Sequence, residues 1–384
     1  MQNPSSVEKM KKSTGNNLKG SVKFAGTRNN EFFPVLKKRL DEYFGSNNIS
    51  KYGNTSLVIK TVILSIAYVI PFACILLLQP GWAVSMALWA IMGFGMAGLG
   101  MSVMHDGNHG SYSSSKSVNW LMAHILNLMG GSTYNWKLQH NILHHTYTNV
   151  TGMDDDIAPK PALRLSPHDN QNFSHRFQWI HAFVLYGLTT LFWVTAKDFI
   201  QYARYKKNNV SSASDNQHRL ILFKIILLKI VYFSVFLVVP VLLLSIPFAQ
   251  VLTGFIIMHF IAGLVLTVIF QLAHSLEGTH HPIPKNGVLE NDWAIHQMST
   301  TMNFSPDNKF LSWYVGGLNY QVEHHLFPRI SHVHYPAISK IVRNTAEEYN
   351  IPYLQHSTLG KAIAAHIYFL KKLGKVPSLD EAIG

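Results

Sequence analysis

The chain has 384 residues, of which 48% are hydrophobic and only 14% are charged, and its formal net charge is +12. The apolar residues gather in long runs, which indicates a polytopic membrane protein rather than a large soluble core. Nucleic-acid binding is not expected, because an excess of Lys and Arg in cytoplasmic loops explains the basic charge. The single cysteine, Cys74, lies inside an apolar run, which excludes an intramolecular disulfide and a thiolate-rich metal site.

The first half of the chain predicts one pair of membrane-spanning helices. Residues 1–30 are polar and are predicted to be disordered, and residues 31–44 have the pattern of an amphipathic surface helix. Residues 57–78 and 82–104 are the predicted spans, joined by a tight turn at residues 79–81. Lys60 lies near the cytoplasmic end of the first span, where its side chain is predicted to snorkel to the membrane surface. Four glycines of the second span favour close helix packing: Gly93, Gly95, Gly98 and Gly100.

A second pair of spans is predicted at residues 230–248 and 251–273, because Lys224 and Lys229 interrupt the apolar run before it. Residues 118–131 and 179–196 are apolar but contain polar interruptions, so they are predicted to be interfacial or re-entrant. Residues 351–384 are predicted to be a cytoplasmic tail. The predicted fold is an all-α integral membrane protein with four transmembrane helices in two hairpins under a helical cap.

The charge distribution predicts the orientation of these spans. Two hairpins return the chain to its starting side, so the N-terminus, residues 105–219 and residues 274–384 share one face. Residues 1–56 contain ten Lys and Arg, whereas the two opposite connections contain none. The excess of basic residues predicts that the shared face is cytoplasmic.

Histidines cluster on this shared face in three short motifs. The motifs are H-D-G-N-H, H-N-I-L-H-H and Q-V-E-H-H, and His274 lies between the second and third. Gathered histidines are costly unless they bind something, and neutral imidazole is a common ligand of iron, zinc and copper. The candidate metal ligands are His105, His109, His140, His144, His145, His274, His324 and His325.

The spacing within the motifs suits two metal ions. Side chains four residues apart lie on one helical face, whereas adjacent histidines diverge and can reach different metals. A set of eight nitrogens without thiolates argues against structural zinc and favours redox-active iron. Asp106 and Glu323 could orient ligands from the second shell. The run Asp154–Asp156 could do the same, or could belong to a solvated loop.

These motifs, in this order between paired apolar helices, resemble those of the membrane-bound fatty acid desaturases. The stretch G-G-L-N-Y-Q-V-E-H-H-L-F-P-R-I, residues 316–330, is especially similar. Gln321 stands where most members have a histidine, which is the pattern of the front-end subgroup. That subgroup inserts a double bond between an existing one and the carboxyl end. The resemblance covers about residues 57–350.

The resemblance implies a four-helix stem and a cytoplasmic cap that holds two iron ions, within a desaturase domain at residues 31–350. Zinc is expected only as a substitute in overproduced protein. His274 matches the family's further ligand position, with His280 and His281 as alternatives. Related stearoyl-type enzymes hold a metal-bound water with an Asn at the place of Phe270, so Gln271 or Gln321 is expected to replace it. Asn319 is a further second-shell candidate.

The resemblance also implies partners. The heme-binding H-P-G-G motif of fused cytochrome b5 domains is absent, so electrons are expected from a separate ferredoxin or cytochrome b5. Such carriers are acidic, and the basic face would attract them. The acyl substrate could be carried by a lipid, by coenzyme A or by acyl-carrier protein. A stand-alone enzyme of this kind is expected in the inner membrane of a bacterium.

Two other functions compete with a desaturase. A lipid or alkane hydroxylase uses similar histidine motifs and shares the first hydrogen abstraction. A heme carrier or metal transporter is disfavoured, because the candidate ligands lie mostly outside the spans. An acyl tunnel lined by Trp136, Trp313 and Tyr314 is expected. The isolated histidines His124, His181, His259 and His296 are interpreted as packing residues.

Overall fold

The computed structural model describes residues 22–26, 31–244 and 246–376. The predicted disorder of residues 1–30 therefore falls mostly outside the described residues. Within it, however, Lys23–Phe24 forms a short strand that pairs in parallel with Val288–Leu289. A second parallel pair joins Asn303–Phe304 to Gln355–His356. The rest of the described fold is predominantly helical.

Within the described ranges, four helices are long and apolar enough to cross a membrane: Thr55–Leu78, Trp82–His109, Asp215–Leu242 and Phe248–His274. All four extend beyond the predicted spans at one end or both, because residues at their ends continue the helix into the rest of the protein. The predicted third span ended at residue 248, whereas in the structure Phe248 begins the fourth helix. Ile246 and Pro247 lie in the turn between them.

Glycines allow the second helix to pack closely against two neighbours. A Cβ on Gly93 would lie 2.7 Å from the Met258 carbonyl oxygen, and one on Gly95 would lie 2.8 Å from the Ala67 backbone. Either distance is shorter than real Cβ contacts. The sequence-based expectation of close packing is therefore confirmed at both positions. The outer faces of the long helices expose large aliphatic residues such as Val62, which suits contact with lipid.

Shorter helices fill the sequence between and after the long ones. Before the third long helix they are Lys116–Ala123, Ile125–Leu128, Thr133–Trp136, His145–Tyr147, Gln178–Gly187, Thr189–Phe192 and Asp198–Lys207. After the fourth they are Trp293–Thr300, Lys309–Tyr314, Gln321–Leu326, Tyr335–Glu348 and Leu359–Leu373. Single turns of 3-10 helix occur at Phe173–Phe177 and His332–His334. Wider π-helical turns occur at Leu99–Met104, Lys137–His144, Trp193–Lys197 and Ser234–Val238.

The two stretches predicted to be interfacial or re-entrant do not form straight spans. Residues 118–131 are divided between two short helices. The second stretch forms a pair of helices, Phe173–Gly187 and Thr189–Lys207, bent by 56°. Polar residues and glycines interrupt both stretches, as the sequence indicated.

The amphipathic helix Phe32–Ser46 packs on protein. Phe32, Leu36 and Leu40 are buried against the helix Tyr335–Glu348, and Arg39 forms an ion pair with Glu348 at 2.6 Å. The predicted C-terminal tail also packs, because its helix Leu359–Leu373 contacts the helices Gln178–Gly187 and Phe248–His274. Both segments are thus packed against other helices of the described fold.

A buried ion pair fixes the bent helices against the third long helix. Lys229 and Asp198 lie 2.6 Å apart, and their side chains are 6% and 0% exposed. The Lys229 ammonium also donates to the backbone oxygens of Gly130 and Trp193. Lys229 therefore lies against protein even though it interrupts an apolar helix.

Replacing Lys229 by Met is expected to lower the free energy of unfolding by about 3–5 kcal/mol, because Asp198 would stay buried without its cation. Thermal unfolding in detergent measures the change. Lys207→Met, an exposed lysine nearby, is the control and should shift stability by less than 1 kcal/mol or so. Equal effects of the two variants would contradict the pair's assignment as a buried contact.

Candidate metal centre

The eight predicted ligands converge in the structure. The ligand atoms of His105, His109, His140 and His324 lie within 4.8 Å of one another, as do those of His144, His274 and His325. A third overlapping group joins His145 to His324 and His325. The arrangement therefore offers two neighbouring metal positions, with His145 between them.

The first motif lies at the inner end of the second long helix. A π-helical turn, Leu99–Met104, precedes the helix His105–His109, which ends at Gly110 with φ of +71°. The rings of His105 and His109 are 4.7 Å apart. The second long helix is thus apolar over most of its length and carries both imidazoles at its C-terminal end.

The second motif occupies a π-helical segment, Lys137–His144, rather than the α-helix that the spacing suggested. Such segments are rare and frequent at functional sites. The rings of His140 and His144 still stack at 5.4 Å. Because the segment ends there, His144 and His145 diverge, with rings at 78° to each other.

Two glycines hold the third motif against the first. Gly316 and Gly317 have φ of +62° and +66°, a region that disfavours side chains. A Cβ on Gly316 would lie 2.5 Å from the Met101 carbonyl oxygen, in the turn before the first motif. The helix Gln321–Leu326 follows and brings the His324 ring within 4.5 Å of His105.

The electrostatics of the site keep most imidazoles neutral. Burial, followed by the charge of neighbouring histidines, holds the pKa well below the usual histidine value in His140, His145, His324 and His325. Burial also acts on His144, but the Asp154 carboxylate outweighs it and raises the pKa of His144. Neutral imidazole is the form that binds metal.

The orientation of the rings fits a metal. Among the described residues, the buried Nε2 atoms of five candidates have no hydrogen-bond partner: His109, His144, His274, His324 and His325. The Nδ1 atoms of four of these do have partners. His144 contacts Asp154 at 3.0 Å, His325 contacts Gln297 at 2.8 Å, His324 contacts the Tyr335 hydroxyl at 3.1 Å and His274 contacts the Thr300 carbonyl at 3.2 Å. Fixing Nδ1 in this way directs Nε2 toward a shared centre, as in metalloproteins.

The structure distinguishes the alternatives around His274. His274 joins the group of His144 and His325, whereas His281 stacks on Phe369 at 5.7 Å and His280 is exposed. Phe270 lies 5.0 Å from the rings of both His144 and His274, where the family resemblance expects an Asn.

Of the two glutamines expected near Phe270, only one faces the histidines. Gln271 accepts from the Ser275 hydroxyl at 2.5 Å. Gln321 is 2% exposed, lies close to His274 and donates to the Leu318 carbonyl oxygen. Gln321 is therefore the better placed of the two.

Asp106 contacts Ser331 and His332, which lie outside the three histidine motifs. It accepts from the Ser331 hydroxyl at 2.7 Å and contacts His332 Nδ1 at 3.0 Å. Lys60 lies 2.7 Å from His332 Nε2. An ammonium can only donate, so His332 accepts at Nε2 and carries its proton on Nδ1, which faces the Asp106 carboxylate. The prediction that Lys60 snorkels is wrong, since Lys60 is only 2% exposed and binds His332.

The other second-shell candidates have their own partners. Glu323 accepts from Asn303 at 2.8 Å and from the Tyr353 hydroxyl at 2.8 Å, and burial raises its pKa to about 7. Asn319 donates to Ser305 and Ser312. Both therefore hold the loops around the third motif.

The predicted tunnel residues lie in two places. The Trp136 ring is 4.3 Å from His140 and also contacts His105 and His109. Trp313 lies under the Lys60 ammonium at 5.6 Å, and Tyr314 donates to the Phe94 carbonyl oxygen. Only Trp136 lies directly against the candidate ligands.

The isolated histidines have contacts typical of packing residues. His259 bonds with Tyr232 and Thr190, and His181 with the Ala162 carbonyl oxygen. His296 packs edge-on against Phe24. His124 contacts the Trp120 carbonyl oxygen at 2.7 Å.

Sequence reasoning missed several residues that support the site. Gln297, Tyr335 and Thr300 hold Nδ1 atoms of candidate ligands, and His332 joins Asp106 to Lys60. None of these positions belongs to a recognisable spacing pattern. The one available signal was Lys60, the fourth residue of an apolar run, because a lysine in such a run needs a polar partner.

Replacing Asp154 by Asn is expected to weaken metal binding about 10- to 100-fold, because His144 would lose the carboxylate that orients it and raises its basicity. Metal titration of metal-free protein measures the change. Asp307→Asn, at an exposed carboxylate, is the matched control and should bind as the unaltered protein does. Unchanged affinity in Asp154→Asn would show that Asp154 does not support a ligand.

Comparison with known proteins agrees with this geometry. The family model for fatty acid desaturase matches residues 44–357. The sn-1 linoleoyl-lipid 6-desaturase of Arthrospira platensis is 35% identical over 352 residues, which cover 90% of this chain and 93% of that protein. The enzyme of the same name from Synechocystis sp. is 32% identical and covers 92% and 98%. The acyl-lipid (8-3)-desaturase of Physcomitrium patens is 34% identical and covers 93% and 74%.

A family match over most of the chain and relatives aligned over most of its length lead to one conclusion. This chain belongs to the fatty acid desaturase family, where it is similar to acyl-lipid front-end desaturases, and it is an oxidoreductase that desaturates fatty acyl chains.

Proposed function

We propose that the two histidine groups bind two iron ions. The observation that carries this proposal is the convergence of eight imidazoles, five of them with buried and unpartnered Nε2 atoms. His105, His109, His140 and His324 would hold one ion, and His144, His274 and His325 the other, with His145 between them. Bound iron supplies the O2 chemistry needed to oxidise an unactivated C–H bond.

The protein's own residues would position the reaction and exclude water. Asp154, Gln297 and Tyr335 hold the ligand rings in one orientation, which removes the cost of ordering them later. Trp136 covers three of the histidines with an aromatic face. Phe270 packs against the His274 ring and Gln321 lies close to it, so this side of the site would be apolar apart from one amide.

We propose that the substrate is an acyl chain esterified in a membrane lipid, and that the new cis double bond forms between an existing one and the carboxyl end. Relatives named as acyl-lipid 6- and (8-3)-desaturases support this choice over coenzyme A or carrier-protein esters. Gln321 in the third motif supports the front-end position. The same relatives favour desaturation over hydroxylation.

The electrons would come from a separate acidic one-electron carrier of the ferredoxin or cytochrome b5 type. The net charge of +12 would accelerate its association. We further propose that the histidine-bearing cap faces the cytoplasm of a bacterium, because Lys and Arg are concentrated on that side of the chain. The desaturase domain would extend over residues 31–350.

Protein produced at low level in iron-rich medium is expected to contain close to two irons per chain by elemental analysis. Zinc in overproduced protein would still fit, because zinc readily occupies imidazole sites. Loss of metal in variants of only one motif, with the other two motifs dispensable, would contradict a site built from all three.

Alanine at His144 or at His325 is expected to abolish product and reduce bound metal, because each imidazole belongs to the second metal group. His181→Ala is the control. It removes only a hydrogen bond to the Ala162 carbonyl oxygen and should keep most of the activity. Products are measured by mass spectrometry of acyl chains from a host fed defined fatty acids. Equal losses at His144 and His181 would contradict the ligand assignment.

Gln321 gives a sharper test of the proposed centre. Gln321→His should retain bound iron and some activity, since imidazole is a good iron ligand. Gln321→Ala should lower the turnover rate about 10-fold or more through a lost second-shell contact. Lys340→Ala, at an exposed helix position, is the control. Wild-type turnover and double-bond position in Gln321→Ala would exclude Gln321 from the site.

A further inference from the structure

A cavity of about 200 Å³, whose surface is more apolar than polar, lies outside the metal centre, between the turn at residues 124–134 and the third long helix. Three apolar residues of that helix, Ile221, Ile225 and Leu228, form one wall. The rest of the lining is polar: His124, Asn127, Ser132, Thr133, Tyr134 and Lys224. The established reaction assigns nothing to this space.

The position of the cavity matches the surface of a membrane. Lys224 lies five residues before Lys229, on the side of the helix start at Asp215 and away from the apolar end at Leu242. Large apolar side chains are exposed on the helices that carry or adjoin the lining residues, with Trp120 at 60%, Leu128 at 64% and Phe223 at 59% exposed. A lysine and amides ringed by exposed apolar residues are typical of the lipid headgroup level.

The lining combines unused donors with one acceptor. Lys224 is exposed and forms no ion pair or hydrogen bond within the described part of the chain. The Asn127 side-chain oxygen accepts from the Thr133 hydroxyl at 2.7 Å, and its amide nitrogen donates to no described residue. His124 Nδ1 lies 2.7 Å from the Trp120 carbonyl oxygen, so Nδ1 carries the proton and Nε2 is an acceptor.

These groups complement a phosphodiester that also carries a hydroxyl. The ammonium and the amide can donate to phosphate oxygens, and the imidazole can accept from a hydroxyl. The described lining contains no carboxylate that would repel an anion. A phosphoglycerol headgroup meets all three requirements.

The same turn connects this cavity to the metal centre. A second, smaller and apolar cavity lies beside the turn, and its lining includes Leu126, Met129 and Trp193. Met129 approaches Gly100, in the turn that leads into His105. On its far side the turn continues into Thr133–Trp136, and the Trp136 ring lies 4.3 Å from His140. An acyl chain that enters beside the turn would therefore approach the histidines.

We propose that this cavity binds the phosphoglycerol headgroup of the lipid whose acyl chain is desaturated, with Lys224 as the phosphate-binding residue. The inference rests on the proposed lipid-linked substrate. It adds a headgroup site, and with it a preference for anionic phospholipid over neutral glycolipid.

The test separates binding from chemistry. Full-length protein, loaded with zinc so that it cannot turn over, is titrated with phosphatidylglycerol or with a neutral galactosyl diacylglycerol of the same acyl chains, and bound lipid is counted by native mass spectrometry. Lys224→Gln is expected to bind phosphatidylglycerol about tenfold more weakly, since it loses a charge-assisted hydrogen bond. Lys224→Arg should retain binding. Lys116→Gln removes the same charge from an exposed site outside the cavity and should bind as wild type does.

The iron-loaded proteins are then assayed in bilayers of either lipid. A higher KM for phosphatidylglycerol in Lys224→Gln, with kcat retained and galactolipid unaffected, supports the proposal. Equal binding of phosphatidylglycerol by Lys224→Gln and wild type overturns it, as does equal wild-type affinity for the two lipids. A second variant, Ile221→Trp, fills the cavity and should weaken binding in the same assay. Lys224-dependent binding without desaturation of either lipid would support the headgroup site and refute the lipid-linked substrate.

Discussion

The convergence of eight buried imidazoles is the constraint on which the rest of this structure depends. A buried imidazole must stay neutral or find a counter-charge, and each ring nitrogen needs a partner. The protein meets the first need through burial, which lowers the pKa of His140 and His324. It meets the second on one side of four rings. The Nδ1 atoms of His144, His274, His324 and His325 have protein partners, whereas their buried Nε2 atoms have none.

The long apolar helices and the shorter helices are joined through this cluster. Long helices deliver His105 and His274 at their inner ends, so the membrane-facing packing also sets the spacing of the ligands. Lys60 extends the connection, because it binds His332, which binds Asp106 beside His105. The position of the first motif therefore depends on the first long helix and on the segment after the third motif. A desaturase needs such rigidity, because its selectivity lies in which methylenes reach the centre.

The chain around Trp136 lies between the proposed headgroup site and the candidate metal ligands. The turn before it lines the cavity opposite Lys224 of the third long helix, and Met129 of the same turn lines a small apolar gap. The segment after it carries His140 and His144. If the cavity binds a headgroup as proposed, this proximity would fix the distance between the headgroup and the methylenes that are oxidised.

Local patterns in the sequence determined the four apolar helices and the histidine motifs, because hydrophobic length and ligand spacing are properties of short segments. The resemblance carried by residues 316–330 indicated the family. Tertiary structure decided what depends on distant segments. Gln297, Tyr335 and Thr300 hold ligand rings from other parts of the chain, and Lys60 is buried because His332, 272 residues away, supplies its partner. Sequence spacing predicts which side chains share a helix face, whereas only the packed fold determines which segments lie opposite that face.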